Sequence, residues 1–369
     1  MLSKGVLCVS RVIGQQCGVR QYSRRYTVRS SAASGGKVHG NGDGNGEGSD
    51  GVGIDVNVGL PTSVLLSTLT QLGGVNIKAV DLSQVVKDIT SRHGCSPLAS
   101  VALGRALVGN VLLAAGREEG MVSQLSINGN GPLDSINTEV MFSPEGGGVV
   151  RGYVGNPTAD LPLVGGLLDV SGGVGIGVLK VCHKHPTRPQ KTQEGTTMLE
   201  TSEIGEDLVV YLLSSEQINS AMGLGVQIDE TKGIIRSAVG FLCTVLPGCT
   251  EEELVILEQN IAKVNQLNEF MNVGNSIHDL MTSLSNNLGE QYRNRSTLVR
   301  RCSCSKEKFI ESFKLLGRKE LQDIIEKDEK DETIRCHWCN SELSIRPSSL
   351  KPLLDTTTDR KQDSSTTNV

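Results

Sequence analysis

"RCSCSKEKFI" (Arg301–Ile310) is answered by "RCHWCNSELSI" (Arg335–Ile345), so four cysteines arrive as C-x-C and then C-x-x-C. Thiolates are soft ligands that hold zinc in a tetrahedron with bonds of about 2.3 Å. A C-x-x-C loop brings two sulfurs to one ion; Cys336 and Cys339 fit it, with a strand-like "ELSI" following. Cys302 and Cys304 supply the second pair. The chain between the pairs has helical spacing: Phe309, Phe313 and Leu316 share one face, Leu321, Ile324 and Ile325 another, and Gly317 separates them. Those faces can cover the metal loops. The expectation is one Zn2+ per chain on Cys302, Cys304, Cys336 and Cys339. Spacing alone leaves two roles open. The site could be purely structural, a zinc ribbon on a binding module. It could also be a redox switch, because each close pair can close on itself within the roughly 7 Å Cα limit, and oxidised sulfur no longer holds zinc. Losing zinc would remove on the order of 10 kcal/mol from a small domain.

Upstream, "TEEELVILEQNIAKVNQLNEFMNVGNSIHDLMTSLSNNLG" (Thr250–Gly289) opens with Thr250 and Glu253 in capping-box spacing. Leu254, Leu257, Ile261 and Val264 then recur at helical spacing, Gly274 interrupts, and Ile277, Leu280, Met281 and Leu284 form a second apolar face. Its many Asn and Ser residues are poor helix-interior choices, so these helices should be stable only when packed on something. A helical linker over 249–298 is expected, followed by a C-terminal zinc domain over 299–346.

Earlier still, "DLSQVVKDITSRHG" reads as a helix with Leu82, Val85, Val86 and Ile89 inward, Asp81 as cap and Gly94 as stop. "CSPLASVALGRALVGNVLLAAGR" has Ser96 as cap, Pro97 in the first turn and apolar residues all round, the pattern of a buried helix. "SINTEVMF" alternates as a strand, "PEGGG" turns, and "VVRGYV" returns. "VGIGVLKV" from Val174 reads as a strand, "GEDLVVYLLSSEQ" as a helix, and "VQIDETKGIIRSAVGFLCTVLPG" as a hairpin turning at "ETKG". Strands and helices in separate runs indicate the α+β class, with an N-terminal α/β sandwich-like domain over 60–248.

The ends differ from this core. The first 37 residues carry Lys4, Arg11, Arg20, Arg24, Arg25 and Arg29, and no acidic residue precedes Asp43. Arg-rich, Ser-rich and acid-free is the composition of an organellar transit peptide. "RQYS" at Arg20–Ser23 resembles a mitochondrial processing site; the composition leaves a plastid open. A Gly/Asn/Asp-rich linker completes 1–59, and 347–369 is expected to be a disordered tail. A net charge of −5 argues against nucleic acid as a partner. No apolar run is seen to approach the roughly 20 residues of a membrane span, so no membrane is expected. The other cysteines, Cys95, Cys182, Cys243 and Cys249, read as small core residues.

Competing motifs are weaker. "CHWC" resembles a thioredoxin C-x-x-C but precedes a strand instead of opening a helix. "INGNGPL" and "SGGVGIGVLK" are glycine-rich without the strand–loop–helix setting of a phosphate loop. "CHKH" (Cys182–His185) lacks partner ligands nearby. His337 should be exposed and Trp338, the only Trp, should pack on the metal loop. No Ser-His-Asp or paired-carboxylate arrangement is present, so no enzyme activity is expected.

Together, the four-cysteine module, "VVRGYVGNPTADLP" from Val149, "LETSEIGEDLVVYLLSSEQ" from Leu199 and "VGFLCTVLPG" from Val239 resemble the 33 kDa chaperonin family, the redox-regulated heat-shock holdases, over about Leu60 to Arg346. The resemblance implies a stress-response chaperone that binds unfolding proteins without ATP. Reduced, it would hold zinc and be inactive. Oxidised, Cys302 would pair with Cys304 and Cys336 with Cys339, zinc would leave, and the linker would lose its support. The oxidised chain would form a homodimer, and clients would meet Leu254, Leu257, Ile261 and Leu280. Bacterial members are cytoplasmic; the N-terminal extension implies an organelle, a mitochondrion before a plastid.

Overall fold

The computed structural model describes residues 8–11, 63–143, 147–229, 231–264, 267–327 and 332–354. Most of the expected leader and the end of the expected tail therefore lie outside the described residues.

In chain order the first part contains β1 (Cys8–Arg11), β2 (Ser63–Leu69), β3 (Val75–Asp81), α1 (Ser83–His93), α2 (Pro97–Ala114), β4 (Val122–Gly129), β5 (Ser135–Phe142), β6 (Gly147–Val154), α3 (Val170–Val174), β7 (Gly177–His185), β8 (Arg188–Met198), α4 (Gly205–Ser215), β9 (Ser220–Asp229) and β10 (Ile234–Val245). Three helices follow: α5 (Glu251–Lys263), α6 (Leu267–Asn272) and α7 (Ile277–Ser285). Then come β11 (Tyr292–Arg300), α8 (Lys306–Ser312), α9 (Arg318–Lys327), β12 (Glu332–Arg335), β13 (Glu342–Ile345) and α10 (Lys351–Leu354).

One sheet runs β1-β9-β10-β3-β2-β11-β6-β5-β4-β7-β8. Every step is antiparallel except β11 beside β6. The α+β expectation holds, and its sandwich-like layering comes from a single curled sheet. α2 touches strands from β9 to β4, and α4 reaches β9 near one end of the order and β8 at the other.

α2 starts as its sequence predicts, with the Ser96 hydroxyl accepting from the Ala99 N–H and Pro97 in the first turn. Every residue from Leu98 to Ala114 is buried. This helix is also long and apolar enough, by length and composition, to cross a membrane, which corrects the sequence expectation; its residues are instead covered by the curled sheet. Gly109 lets α2 approach α4 closely, because a Cβ there would push the end of the Leu208 side chain aside. Lys78 of β3 crosses the core to donate to the Ala115 carbonyl at 2.6 Å, giving the α2 C-terminus a cation. Burial, then the nearby Arg117, lowers the Lys78 pKa to about 8.

The other face of β2, β3, β9 and β10 is covered by α5–α7. Leu66, Ile77, Ala79, Val239 and Phe241 pack there against Leu257, Ile261, Leu280, Met281 and Leu284. The Thr250–Glu253 capping box forms, and a second one joins Ser276 to Asp279. The expected weakness of the Asn and Ser residues is partly offset by tertiary bonds. Buried Asn260 donates to the carbonyls of Leu284 (3.1 Å) and Asn286 (2.6 Å), tying α5 to α7. Glu253 accepts from Thr70 at 2.9 Å, tying α5 to the β2–β3 turn.

Several expectations change. The segment at 292–300, expected partly as helical linker, is strand β11 in the middle of the sheet. The strand expected from Val174 begins at Gly177, because Val170–Val174 forms a short helix capped by Asp169. The N-cap of α1 is Leu82; Asp81 still accepts from the Ser83 N–H at 3.0 Å. Within the expected leader, Cys8–Arg11 pairs with β9 as an edge strand. Within the expected tail, residues 347–354 are ordered: Leu350 and Leu353 are buried beside Leu321 and Ile345. Apolar leucines in an otherwise polar stretch complete the small core. Leu316, expected inward, is 40% exposed.

Candidate metal centre

β11 leads into the first cysteine pair. It ends at Arg300, paired with Val150 of β6, and Cys302 and Cys304 follow outside any regular element. Ser305 then caps α8 through the Lys308 N–H. Arg300 is also fixed by an ion pair with Asp88 of α1.

The second pair sits on the loop of the β12–β13 hairpin, whose register places Arg335 opposite Glu342. The Asn340 N–H donates to the Cys336 carbonyl at 2.8 Å, and the Cys336 N–H donates to the Ser341 carbonyl at 3.0 Å. Asn340 takes a left-handed conformation (φ 57°), which asparagine tolerates better than most residues. This tight turn points both sulfurs the same way.

The four expected ligands come together. The Sγ atoms of Cys302 and Cys336 lie 3.8 Å apart and those of Cys304 and Cys339 3.5 Å apart. All four lie within 4.8 Å of one another. A tetrahedron with bonds of about 2.3 Å has edges of about 3.8 Å, so the cluster fits a zinc-sized ion held by four thiolates. Among the described residues it is the one such group of metal-binding type. "CHKH" forms none; its His183 is buried beside Glu216 instead.

The local field prepares the sulfurs unequally. Burial pushes the Cys304 thiol up, aided by its contact with Cys339. Burial also raises Cys336, against the Cys339 and Trp338 backbone N–H groups that aim at its sulfur. At Cys339 burial raises the pKa as well, but bonds from Ser341, Cys304 and Cys336 outweigh it and bring the thiol down to about 6. The same bonds favour the thiolate at Cys339, and a bound dication would favour it at the other three sulfurs. Two cysteines away from the cluster contrast with Cys339: burial holds Cys95 up at about 12 and pushes Cys243 up too. Cys95, Cys182, Cys243, Cys249 and the four clustered cysteines are all free thiols.

Arg151, Tyr153, Asn340 and Ser341 are site residues that sequence reasoning missed. Trp338 does not fold back on its own loop but packs on β6, edge-on to the Tyr153 ring (centroids 5.2 Å, 83°). The Arg151 guanidinium lies 4.3 Å from the Trp338 ring centroid. His337 is exposed, as expected, and 6.0 Å from Tyr153. The outward alternation of "VVRGYV" was visible in the sequence; what would land on it was not.

The expected client-contact residues lie elsewhere. Leu257 and Leu280 are fully buried under the sheet, Ile261 is buried, and Leu254 is half-buried.

A family model described as Hsp33 protein matches residues 63–346. This chain belongs to the Hsp33 family. The 33 kDa chaperonin of Desulfotalea psychrophila is 36% identical over 294 residues, covering 80% of this chain and 98% of the relative. That of Bacillus subtilis is 33% identical over 298 residues, covering 80% and 99%. A solved structure, the 33 kDa chaperonin (heat shock protein 33 homolog) of Thermotoga maritima, superposes with TM-score 0.71 at 28% identity, covering 79% of this chain and 98% of that one. The family match begins at residue 63 and so omits the Arg-rich segment.

Proposed function

We propose that this chain is a redox-regulated, ATP-independent holdase with no catalytic step. The observation that carries the reading is the pairing of a four-sulfur cluster with a module whose buried apolar cluster, among the described residues, is Leu321, Ile345, Leu350 and Leu353, with Pro347 also buried. So small a core needs a metal to fold. Reduced, Cys302, Cys304, Cys336 and Cys339 would hold one Zn2+, whose charge keeps all four sulfurs ionised and the module folded.

Under peroxide, one thiolate of each close pair attacks a peroxide oxygen, the O–O bond breaks, and sulfenic acid and hydroxide form. The neighbouring thiolate attacks that sulfur, displaces a second hydroxide, and closes the disulfide. Each thiolate pair, Cys302 with Cys304 and Cys336 with Cys339 in this reading, passes two electrons to one peroxide as it closes, and two solvent protons complete two waters. A disulfide brings two sulfurs to about 2.05 Å, far inside a tetrahedral edge, so the metal set is lost. The module then unfolds, α5–α7 lose support, and Leu254, Leu257, Ile261 and Leu280 leave the sheet to meet unfolding proteins. The oxidised chain pairs as a homodimer. The Arg-rich leader addresses the protein to an organelle, a mitochondrion in this reading.

The test is light scattering of a heat-denatured client with zinc-loaded reduced chain, and with chain treated with peroxide at elevated temperature and cleared of oxidant. Suppression by the oxidised sample alone is the expected result. Equal suppression by both would make the cysteines a structural site on a constitutive binder. Suppression by neither would overturn the holdase reading.

A further inference from the structure

The two ligand pairs reach the metal centre by different routes. Cys302 and Cys304 are tethered to the sheet by covalent continuity with β11. Cys336 and Cys339 sit on a hairpin beyond two helices, with no such tether. What fixes that hairpin is non-covalent contact with the strand beside β11. β6 pairs with β11 up to Val150–Arg300, and the next outward residues of β6 are Arg151 and Tyr153. Their side chains clasp Trp338, the residue between the second pair of ligands.

Arg151 is itself held by Glu139 of β5 at 2.5 Å, so the cation is positioned before the indole arrives. A second contact lies on the other side of the loop. The Asn340 side-chain amide donates to the Arg92 carbonyl at 2.6 Å, at the end of α1. The Trp338 carbonyl lies 3.4 Å from His93 Nε2 in the same turn.

We infer that the Arg151–Trp338–Tyr153 clasp and the Asn340–Arg92 bond form a latch that ties metal retention to the sheet, so that opening it loosens the metal centre without any oxidation. The latch places the second ligand pair over the β6/β11 junction, where the first pair already emerges. Released, the hairpin would bring its two sulfurs to the ion only by chance encounter. Coupling of this kind is reciprocal: whatever the docked loop adds to metal affinity, bound metal adds to docking. Cation–π and edge-to-face contacts each change an equilibrium by a few-fold. The inference rests on the four cysteines being the metal site, and not on redox activation.

The experiment uses full-length, zinc-loaded chain kept reduced, with transfer of zinc to a chromogenic chelator timed in wild type, Tyr153→Ala, Arg151→Ala and Asn340→Gly. Glycine at 340 keeps the left-handed turn and removes only the amide. Trp338 is the sole tryptophan, so its emission reports the clasp directly. The expected result is zinc loss accelerated roughly fivefold or more in Tyr153→Ala and Arg151→Ala, with Trp emission shifted to the red before any zinc has left. Tyr153→Phe, which keeps the ring, should behave as wild type. Asn340→Gly leaves the sheet untouched and should accelerate zinc loss by a smaller factor, which guards against a folding defect in the β6 variants. Wild-type zinc loss and unchanged emission in Tyr153→Ala, Arg151→Ala and Asn340→Gly would overturn the latch, and would leave the oxidation test of the holdase reading unaffected.

Discussion

α2 and α8 are both capped by a serine, yet α2 buries every side chain from Leu98 onward and α8 buries none. The difference runs through the two regions they belong to. The curled sheet is held by apolar area from two faces, with residues such as Leu107, Phe241 and Ile77 at zero exposure. Among its described residues, the module after β11 has one small buried cluster, Leu321, Ile345, Leu350 and Leu353, beside a group of four sulfurs. One region is stable because of what it excludes from water; the other, on the proposed reading, depends on what it binds.

The contrast can be broken most directly by chelation. With thiols blocked and metal removed, the module should lose on the order of 10 kcal/mol of binding energy. Amide exchange should then become fast over 302–345 while α2 stays protected. Persistent protection of the module would mean that its apolar core suffices and would erase the distinction. A smaller perturbation works from the other side. Leu107→Ala opens a cavity in the sheet core and should cost about 2–5 kcal/mol in denaturant unfolding, with zinc retention under native conditions unchanged. Equal loss of zinc retention would show one cooperative unit in place of two. The smallest effect should come from the helices between the regions. Thr250→Ala removes the α5 cap, worth about 1 kcal/mol, and should speed exchange in Glu251–Lys263 without touching β10. Exchange rising together in α5 and β10 would mean that the helical layer cannot open separately.

Local signals were legible in the sequence. Ser96–Pro97, the Thr250–Glu253 box, the "ETKG" hairpin and the two cysteine pairs all encode structure within a few residues. β11 was not legible. Its partners β2 and β6 are remote, only Leu298 of its length is buried, and its arginines read as exposed linker. The closing leucines at 350 and 353 were lost in a polar stretch for the same reason: their partners, Leu321 and Ile345, lie across the module. Likewise the grouping of the four cysteines follows from spacing, whereas the contact of Trp338 with Tyr153 depends on tertiary placement that one sequence does not carry.

The central position of β11 also dictates an order of events during synthesis. The strands β9-β10-β3-β2 and β6-β5-β4-β7-β8 form two ladders that no hydrogen-bonded strand joins except β11. A chain emerging from the ribosome can build each ladder early, but β2 and β6 keep open edges until residue 300 is available. Such edges are templates for pairing with other chains, and contacts this distant in sequence close slowly. The newborn protein thus passes through an aggregation-exposed interval that ends only when its own C-terminal region arrives, and the strand that ends it is the one that leads into the four-cysteine cluster.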